Sequence, residues 1–288
     1  MEYLIHLAIL FAIYVPLAVS LNLVVGYTGL LSVTHAAFYG VGAYATTLFM
    51  VNLGFGFIPA LLFGMLLAGL LAAIFGLILS RFRDDYYALV SFGFNIIVYS
   101  VLLNWGSLTR GPLGIPGIPR PEIFGFTFNS NLSFLILALV LALIVYLISA
   151  GIVKSSFGRV LKGIREDEKV LGVFGYNTKV FKLVIFSVTA MMAGLAGGLF
   201  ATYITFIDPS TFSLNESIFI LAMIILGGLA NIRGSVLGAL FLILLPEILR
   251  FVGFPSDVAA QMRQLVYGAL LVFLMLYRPQ GLTGEYKL

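Results

Sequence analysis

The residues MEYLIHLAILFAIYVPLAVSLNLVVG, Met1 to Gly26, open the chain with one continuous apolar run. A helix of about 20 apolar residues is long enough to cross the hydrocarbon core of a bilayer. The run carries Glu2 where a cleavable signal peptide has a basic leader, and it stays apolar for longer than the core of such a peptide. It is therefore interpreted as a retained first transmembrane helix.

The composition of the whole chain agrees with this interpretation. Of the 288 residues, 61% are hydrophobic and 10% are charged, against roughly 45–50% and about 25% in soluble domains. So few charged side chains cannot cover a soluble surface, whereas helices that face lipid are apolar on all sides. The chain has no cysteine, which excludes disulfides, thiolate metal sites and cysteine nucleophiles.

Hydropathy predicts an all-α polytopic membrane protein with about nine transmembrane or re-entrant helices, in a single domain of residues 1–288. The nine stretches are residues 3–25, 29–51, 57–80, 86–105, 133–153, 182–207, 216–231, 234–252 and 259–277. The second is rich in Gly, Ser, Thr and His, the seventh is short, and the ninth begins with polar residues. Any of these three is a candidate for a re-entrant or broken helix.

The basic residues predict the orientation, because Lys and Arg concentrate on the cytoplasmic side of a membrane protein. If residues 154–182 form a cytoplasmic loop and the nine helices alternate, twelve of the 16 Lys and Arg residues lie inside. The amino terminus is then outside and the carboxyl terminus inside. Residues 106–132 form an external loop, whose Pro and Gly favour turns and extended chain. Basic residues spread over short loops in this way argue against binding to nucleic acid.

The predicted inner loop contains GIREDEKVLGVFGYNTKVFK, Gly163 to Lys182, which holds seven of the 28 charged residues. Its pattern predicts one amphipathic helix from Lys162 to Phe174, ended by a left-handed turn at Gly175. Asn177 is predicted to cap the helix that follows. A solvated connector is the alternative, but mixed charges within five residues fit a protein partner better than a lipid headgroup.

The sequence contains no convincing nucleotide-binding, metal-binding or catalytic motif. GRVLKGIR, from Gly158, imitates a phosphate-binding loop, but Ile164 and Arg165 stand where Lys and Ser or Thr are required. His6 and His35 lie 29 residues apart with no carboxylate at a ligand-like spacing, so neither a metal site nor a catalytic triad is expected. The sequence predicts no enzyme and no cofactor in this chain.

Polar residues at membrane depth are the candidates for a solute pathway, because such residues are costly in lipid unless they serve a function. The candidate pathway residues are Asn22, His35, Asn95, Asn104 and Glu216. A packing role competes at each position, since an amide bridges helices equally well and Glu216 suits the headgroup region. Glu247 is a further acidic residue at membrane depth, and it can pair with Arg250 on the same face of its helix. Glycine and alanine pairs four residues apart, such as Gly194 and Gly198, predict closely packed helices.

Four segments of the sequence carry a family resemblance: NLVVGYTGLLSVTHAAFYGVGAYA (22–45), TRGPLGIPGIPRPEIFG (109–125), GIREDEKVLGVFGYNTKVFKLVIFSVTAMMAGLAGGLFA (163–201) and IDPSTFSLNESIFILAMIILGGLANIRGSVLGALFLILLPEILR (207–250). They resemble the inner-membrane permeases of branched-chain amino acid ABC importers, specifically the LivM-like type. Their order along the chain is more specific than any one of them. Related permeases of this superfamily carry urea, short amides and some sugars.

The resemblance implies a type II-like ABC importer permease in the cell inner membrane that moves an amino acid inward by alternating access. Its implied partners are a homologous LivH-like permease, two ATPase subunits that hold ATP and Mg, an external solute-binding protein and the lipid bilayer. The implied ATPase-coupling residues are Arg165, Glu166, Asp167, Glu168, Lys169 and Gly175. The implied docking residues for the binding protein are Arg110, Arg120 and Asp208.

Two functions from other classes remain open at this point. A self-contained channel or secondary transporter needs charge near the middle of the membrane, whereas the strongest acidic candidates here lie near the ends of the predicted helices. A membrane enzyme needs a convergent group of reactive side chains that this sequence does not assemble.

Overall fold

The computed structural model describes residues 2–82, 84–251, 265–266, 268–269, 272–273 and 281–283. Its helices are α1 Glu2–Thr28, α2 His35–Leu53, α3 Phe57–Leu79, α4 Asp84–Asn104, α5 Gly106–Thr109, α6 Asn131–Lys154, α7 Ser156–Val173, α8 Thr178–Ile204, α9 Leu214–Gly227 and α10 Ile232–Phe251. Within these residues, six helices are long and apolar enough to cross a membrane: α1, α2, α3, α4, α6 and α8. The predicted all-α polytopic class is confirmed.

The remaining predicted membrane segments have different outcomes. The 14 residues of α9 rise about 21 Å at 1.5 Å per residue, which is shorter than the roughly 30 Å hydrocarbon core. It forms a hairpin with α10, whose 20 residues rise about 30 Å and correspond to the predicted stretch 234–252. The predicted ninth segment, residues 259–277, lies mostly outside the described residues.

The second predicted helix begins later than its sequence indicated. Residues 29–34 are not helical, and α2 starts at His35. Gly29 has φ +74°, which ends α1 in the left-handed region. The backbone of Val33 then bonds to two side chains of α4: its N–H donates to Ser91 Oγ at 3.2 Å, and its carbonyl accepts from Asn95 Nδ2 at 2.9 Å. These contacts from a distant helix replace the hydrogen bonds of a helical turn.

The core of the protein is formed by α1, α2 and α8, which are buried over much of their length, while α3, α4 and α6 expose apolar faces to lipid. Small residues allow the close packing. A Cβ on Gly42 of α2 would overlap the Cα of Gly194 in α8, and a Cβ on Gly197 would overlap the carbonyl oxygen of Tyr39. The predicted close approach of α8 through its glycines is confirmed.

The α9–α10 hairpin turns at a short irregular segment. Gly228 has φ 116° and Ala230 has φ 58°, so the chain leaves the helical conformation between Gly227 and Ile232. The two helices then pack through glycine, because a Cβ on Gly234 would overlap the carbonyl group of Gly227. Residues 281–283 lie against this turn through two backbone N–H groups that donate to the carbonyls of Leu226 and Gly227 at 2.9 and 3.1 Å.

The segment between α4 and α6 is extended and turn-rich, as its Pro and Gly content predicts, apart from the single turn of α5 and a 3-10 turn at Gly111–Leu113. β1 (Ile115–Pro116) pairs antiparallel with β4 (Phe206–Ile207), which follows α8. β2 (Glu122–Ile123) and β3 (Phe126–Thr127) form a small hairpin. The β1–β4 pair places this segment beside the chain between α8 and α9.

Candidate functional site

The charged segment after α6 is not one continuous amphipathic helix. α7 begins at Ser156, and Asp167 interrupts it with an extended backbone, φ −158° and ψ 101°. The Asp167 carboxylate accepts hydrogen bonds from the N–H groups of Lys169 at 2.8 Å and Val170 at 3.2 Å, as a helix N-cap does. The predicted helix from Lys162 to Phe174 is therefore wrong in its boundaries. Asp167 starts a new helical turn instead of lying on a charged face.

The second part of α7 is anchored to α8 by the Glu168 carboxylate. Its Oε1 lies 2.7 Å from the Nζ of Lys182 and accepts a 2.8 Å hydrogen bond from Thr178 Oγ1. Only 5% of the Lys182 side chain is exposed, against 22% for Glu168. Asn177 occupies the N-cap position of α8, but its side chain caps no backbone N–H among the described residues. Its predicted capping role is thus wrong.

The first part of α7 is anchored to the end of α1. The Arg165 guanidinium donates a hydrogen bond to the carbonyl of Gly26, and the Nζ of Lys162 lies 5.7 Å from the centre of the Tyr27 ring. A polar cavity of about 340 Å³ opens here, between the end of α1, α7 and the start of α8. Two membrane helices therefore hold the charged segment from opposite sides of its kink.

The end of α7 projects an apolar tip away from these anchors. We define the α7 tip as Val170, Val173, Phe174 and Tyr176, all of which are exposed; Val173 is 88% and Phe174 is 75% exposed. Gly175 has φ +84° and ends α7 in a left-handed turn, in agreement with the sequence. Charged side chains surround the tip, and those of Glu166, Lys169 and Lys179 are exposed. An apolar centre with a charged rim has the composition of a protein interface.

Among the candidate pathway residues, Asn22 is fully buried and fully hydrogen-bonded. Its Nδ2 donates to the carbonyls of Gly228 and Asn231 and to Ser235 Oγ, and its Oδ1 accepts from the N–H of Ala230 at 3.0 Å. These partners span the turn between α9 and α10. The structure therefore places Asn22 as a clamp on that turn.

His35 and Asn95 lie in one buried region at the start of α2. His35 Nε2 is 3.0 Å from Ser20 Oγ, and Asn95 Nδ2 donates to Ser217 Oγ at 2.8 Å. The same Ser217 oxygen accepts from the N–H of Ala36. His35 Nδ1 and Asn95 Oδ1 have no hydrogen-bond partner among the described residues. The region is a packed polar contact between α1, α2, α4 and α9.

The other two pathway candidates make their hydrogen bonds outside this region. Asn104 is exposed at the end of α4 and donates to the carbonyl of Ser100 in its own helix at 2.8 Å. Glu216 lies in the first turn of α9, where its Oε1 accepts a 2.6 Å hydrogen bond from the Tyr14 hydroxyl. Glu216 therefore lies at the start of α9, one residue before Ser217, whereas Asn104 lies on the surface.

The two candidate docking arginines have different surroundings. Arg110 is exposed and has φ 60° at the end of α5. Arg120 is partly buried, with its guanidinium 5.8 Å from the centre of the Tyr203 ring and 3.4 Å from Asn131 Oδ1. Arg110 is therefore accessible to a partner, while Arg120 packs against α6 and α8.

Asp208 organises the turn that follows β4. Its carboxylate accepts hydrogen bonds from the hydroxyls of Ser210 and Thr211, the latter at 2.7 Å. The structure places Asp208 between β4 and α9, near the segment that contains Arg110 through the β1–β4 pair.

Sequence reasoning missed Lys182 as a partner of Glu168 and Ser217 as the contact between α2, α4 and α9. The pair of Glu168 and Lys182 spans 14 positions and a turn, so no helical spacing signals it. A lysine near the start of a long apolar helix was the one available sign, because a buried lysine requires a counter-charge. Ser217 gave no sign, since serines are common at the start of helices.

Six apolar helices among the described residues and a core packed through small residues define a polytopic membrane protein. The comparisons with known proteins agree. Residues 3–275 match the family described as "Branched-chain amino acid transport system / permease component". The chain belongs to this family and is a multi-pass inner-membrane permease subunit, not a member of an enzyme class.

Individual relatives carry consistent names. The chain is 34% identical to the high-affinity branched-chain amino acid transport system permease protein LivM of Escherichia coli K12, over 96% of this chain and 69% of that protein. It is 24% identical to the probable LivM of Methanocaldococcus jannaschii, with 96% and 91% covered. It is 25% identical to the permease LivH of Escherichia coli K12, with 94% and 91% covered. No solved structure matches this chain.

Proposed function

We propose that this permease is the LivM-like half of an ABC importer that takes up branched-chain amino acids. The names of its relatives support the substrate class, since LivM and LivH are both described as permeases of high-affinity branched-chain amino acid transport. Its partners are a LivH-like permease, two ATPase subunits that hold ATP and Mg, and an external solute-binding protein. The chain itself holds no cofactor and hydrolyses no ATP.

The amino terminus lies outside and the carboxyl terminus inside, so that α7 faces the cytoplasm. Twelve of the 16 Lys and Arg residues support this orientation. The segment between α4 and α6 then lies outside with Arg110, Arg120 and Asp208, where the binding protein docks. Arg110 makes the stronger docking contact of the two arginines, because it is exposed.

The observation that carries the proposal is the exposed α7 tip, which projects from a segment anchored to α1 and α8. Val173 and Phe174 are exposed together with Val170 and Tyr176, so the tip is an apolar patch, and charges of both signs surround it. Exposed apolar anchors with a polar rim bind a protein groove, and the charges set the register. We assign this groove to the ATPase.

The coupling residues divide into contacts and supports. Glu166 and Lys169 are exposed and meet the ATPase directly. The other three residues position the loop. Arg165 bonds to Gly26, Asp167 bonds to the backbone after the kink, and Glu168 pairs with Lys182. A displacement of the tip by the ATPase is transmitted to α1 and α8 through these supports.

The test uses two exposed phenylalanines at opposite ends of the protein. Phe174→Asp places a charge in the centre of the proposed interface, and we expect a loss of at least about 2 kcal/mol of binding free energy, near thirtyfold in affinity. Phe124→Asp is the matched control, since Phe124 is also exposed and lies in the β2–β3 hairpin.

ATPase co-purification and ATP-driven leucine uptake into proteoliposomes are the two measurements. Phe174→Asp should abolish both, and Phe124→Asp should leave ATPase co-purification intact. Full co-purification and uptake with Phe174→Asp would remove the coupling role from the tip. Uptake by the permeases alone, without ATPases, would instead identify a self-contained transporter.

A further inference from the structure

A second cavity, of about 440 Å³, lies between α1, α6 and α10. Ala12 of α1 and Ala142 of α6 are buried in its lining, and their small side chains leave space between the helices. Leu139 and Leu143 of α6 and Leu237 of α10 also line it and are 45%, 56% and 45% exposed. Because α1 and α6 are membrane helices, these exposed leucines open the cavity toward lipid. We call it the α1–α6–α10 groove.

The groove is apolar along most of its lining. Its α6 residues recur at spacings of three and four positions, from Leu139 to Tyr146, so one face of that helix forms a wall. Phe11 and Val15 of α1 and Val236 of α10 complete the apolar surface. An aliphatic chain can pack here without leaving a polar group unpaired.

Arg233 is the exception to this apolar lining. It is exposed, and its guanidinium makes no hydrogen bond or ion pair with any of the described residues. No aspartate or glutamate is found among the described residues that line the groove. An arginine keeps its charge at physiological pH and is costly at membrane depth without a counter-charge. The Arg233 side chain is therefore available to an anion that enters the groove.

The position of Arg233 indicates which end of the groove is charged. It is the second residue of α10 and follows the turn that Asn22 clamps. Asn22 lies within the last two turns of α1, and in the proposed orientation that end of α1 faces the cytoplasm. A long arginine side chain can extend along an apolar wall and place its charge among the lipid headgroups. The charged end of the groove thus lies toward the inner leaflet.

We propose that the α1–α6–α10 groove binds one anionic phospholipid of the inner leaflet. Its phosphate pairs with Arg233, because a guanidinium group offers phosphate two parallel N–H donors. One acyl chain lies along the α6 wall and covers Ala142 and Leu143. Basic pockets between membrane helices on the cytoplasmic side are typical sites for anionic headgroups. The choice of leaflet rests on the proposed orientation, whereas lipid binding itself is independent of the transported solute.

The first test measures lipid binding to the delipidated, detergent-purified importer by native mass spectrometry. The probes are dioleoylphosphatidylglycerol, which is anionic, and dioleoylphosphatidylethanolamine, which is zwitterionic and has the same acyl chains. We expect Arg233→Gln to weaken one bound phosphatidylglycerol about fivefold, and to weaken phosphatidylethanolamine less. Arg81→Gln removes an exposed arginine just beyond the end of α3, outside the groove. This matched control should bind both lipids as wild type does.

The second test fills the apolar part of the groove. Leu143→Trp places a larger ring where the acyl chain lies, and we expect it to weaken both lipids at least threefold, roughly, by steric exclusion. Leu147→Trp is the matched control, because Leu147 is 58% exposed on the same helix and does not line the groove. That control should leave the binding of both lipids unchanged.

A third measurement identifies the occupant in the assembled importer. A photoactivatable maleimide is attached to Leu143→Cys, in a chain that has no natural cysteine. We expect a cross-link to phosphatidylglycerol added to the complex. A cross-link to the second permease instead would overturn the inference and assign the groove to the contact between permeases.

Three binding results would also overturn the inference. Unchanged lipid binding in both Arg233→Gln and Leu143→Trp would reject the groove as a lipid site. Equal losses in Arg233→Gln and Arg81→Gln would indicate a general effect of surface charge. Competition by glycerophosphoglycerol, the headgroup without acyl chains, would indicate a site for soluble phosphates. Each of these results leaves the proposed function standing, because ATP-driven leucine uptake is measured separately.

Discussion

The Nζ of Lys182 lies 2.7 Å from the Oε1 of Glu168, so an ion pair joins the start of α8 to the second part of α7. Both groups are removed from most of the solvent. A surface pair in water contributes little, but breaking a pair that is this buried leaves one charge without a partner. The pair therefore fixes where the α7 tip stands relative to the membrane helices.

Removal of the Glu168 carboxylate should loosen this segment. We expect Glu168→Ala to destabilise the attachment of α7 to α8 by about 2 kcal/mol, since Lys182 loses its counter-charge. Limited trypsin digestion at Lys169 and Lys179 should become faster. Glu166→Ala is the control, because that exposed side chain should change stability by less than about 0.5 kcal/mol. Equal digestion of the two variants would contradict the anchoring role.

Loss of the Asn22 side chain should destabilise the α9–α10 turn. Asn22→Ala leaves the N–H of Ala230 and the carbonyls of Gly228 and Asn231 with fewer partners in a buried site, and we expect a cost of about 3 kcal/mol. Thermal unfolding of the detergent-purified complex measures it. Asn104→Ala, at an exposed amide, should lie within about 0.5 kcal/mol of wild type. An unchanged unfolding temperature for Asn22→Ala would show that the clamp is dispensable.

The glycine contact between α2 and α8 leads to a third prediction. Gly197→Ala places a methyl group against the carbonyl of Tyr39 and should force the helices apart, with loss of folded protein. Gly151→Ala is the matched control, because, apart from the adjacent residues and the nearby backbone of α6, no heavy atom of the described residues lies within 4 Å of its added Cβ. That control should be neutral or stabilising by up to about 1 kcal/mol, since Ala favours helix. Monodisperse yield on gel filtration distinguishes the two. Similar yields would contradict the packing.

The proposed orientation can be tested without background, because the natural chain contains no cysteine. Phe124→Cys should react with a membrane-impermeant maleimide applied to spheroplasts. Phe174→Cys should react only after the membrane is opened. Labelling of Phe174→Cys in sealed spheroplasts would reverse the topology, and with it the assignment of the α7 tip to the ATPase.

Hydropathy predicted the simplest helices well. The stretches 57–80 and 133–153 are helices Phe57–Leu79 and Asn131–Lys154, because long apolar runs with lipid-facing sides need no tertiary contact to define them. The left-handed turn at Gly175 was also predictable, since glycine adopts that conformation without strain.

Features that depend on distant contacts were not predictable. The late start of α2 follows from Ser91 and Asn95, which lie about 60 positions further along the chain. The kink at Asp167 uses a residue that also fits the charged face of a regular helix, so the helical pattern concealed it. The contacts of Asn22 with the α9–α10 turn join residues more than 200 positions apart, so only the fold reveals them.

The contact between the α7 tip and the ATPase is tested most directly by cross-linking from Val173→Cys in the assembled importer. Val173 is the most exposed apolar residue of the tip, so a short photoactivatable maleimide placed there reaches a bound partner without disturbing the anchors at Glu168 and Arg165. The account predicts one major cross-linked product that contains an ATPase subunit. A cross-link to the external binding protein, or none to the ATPase in a fully assembled and active complex, would contradict it.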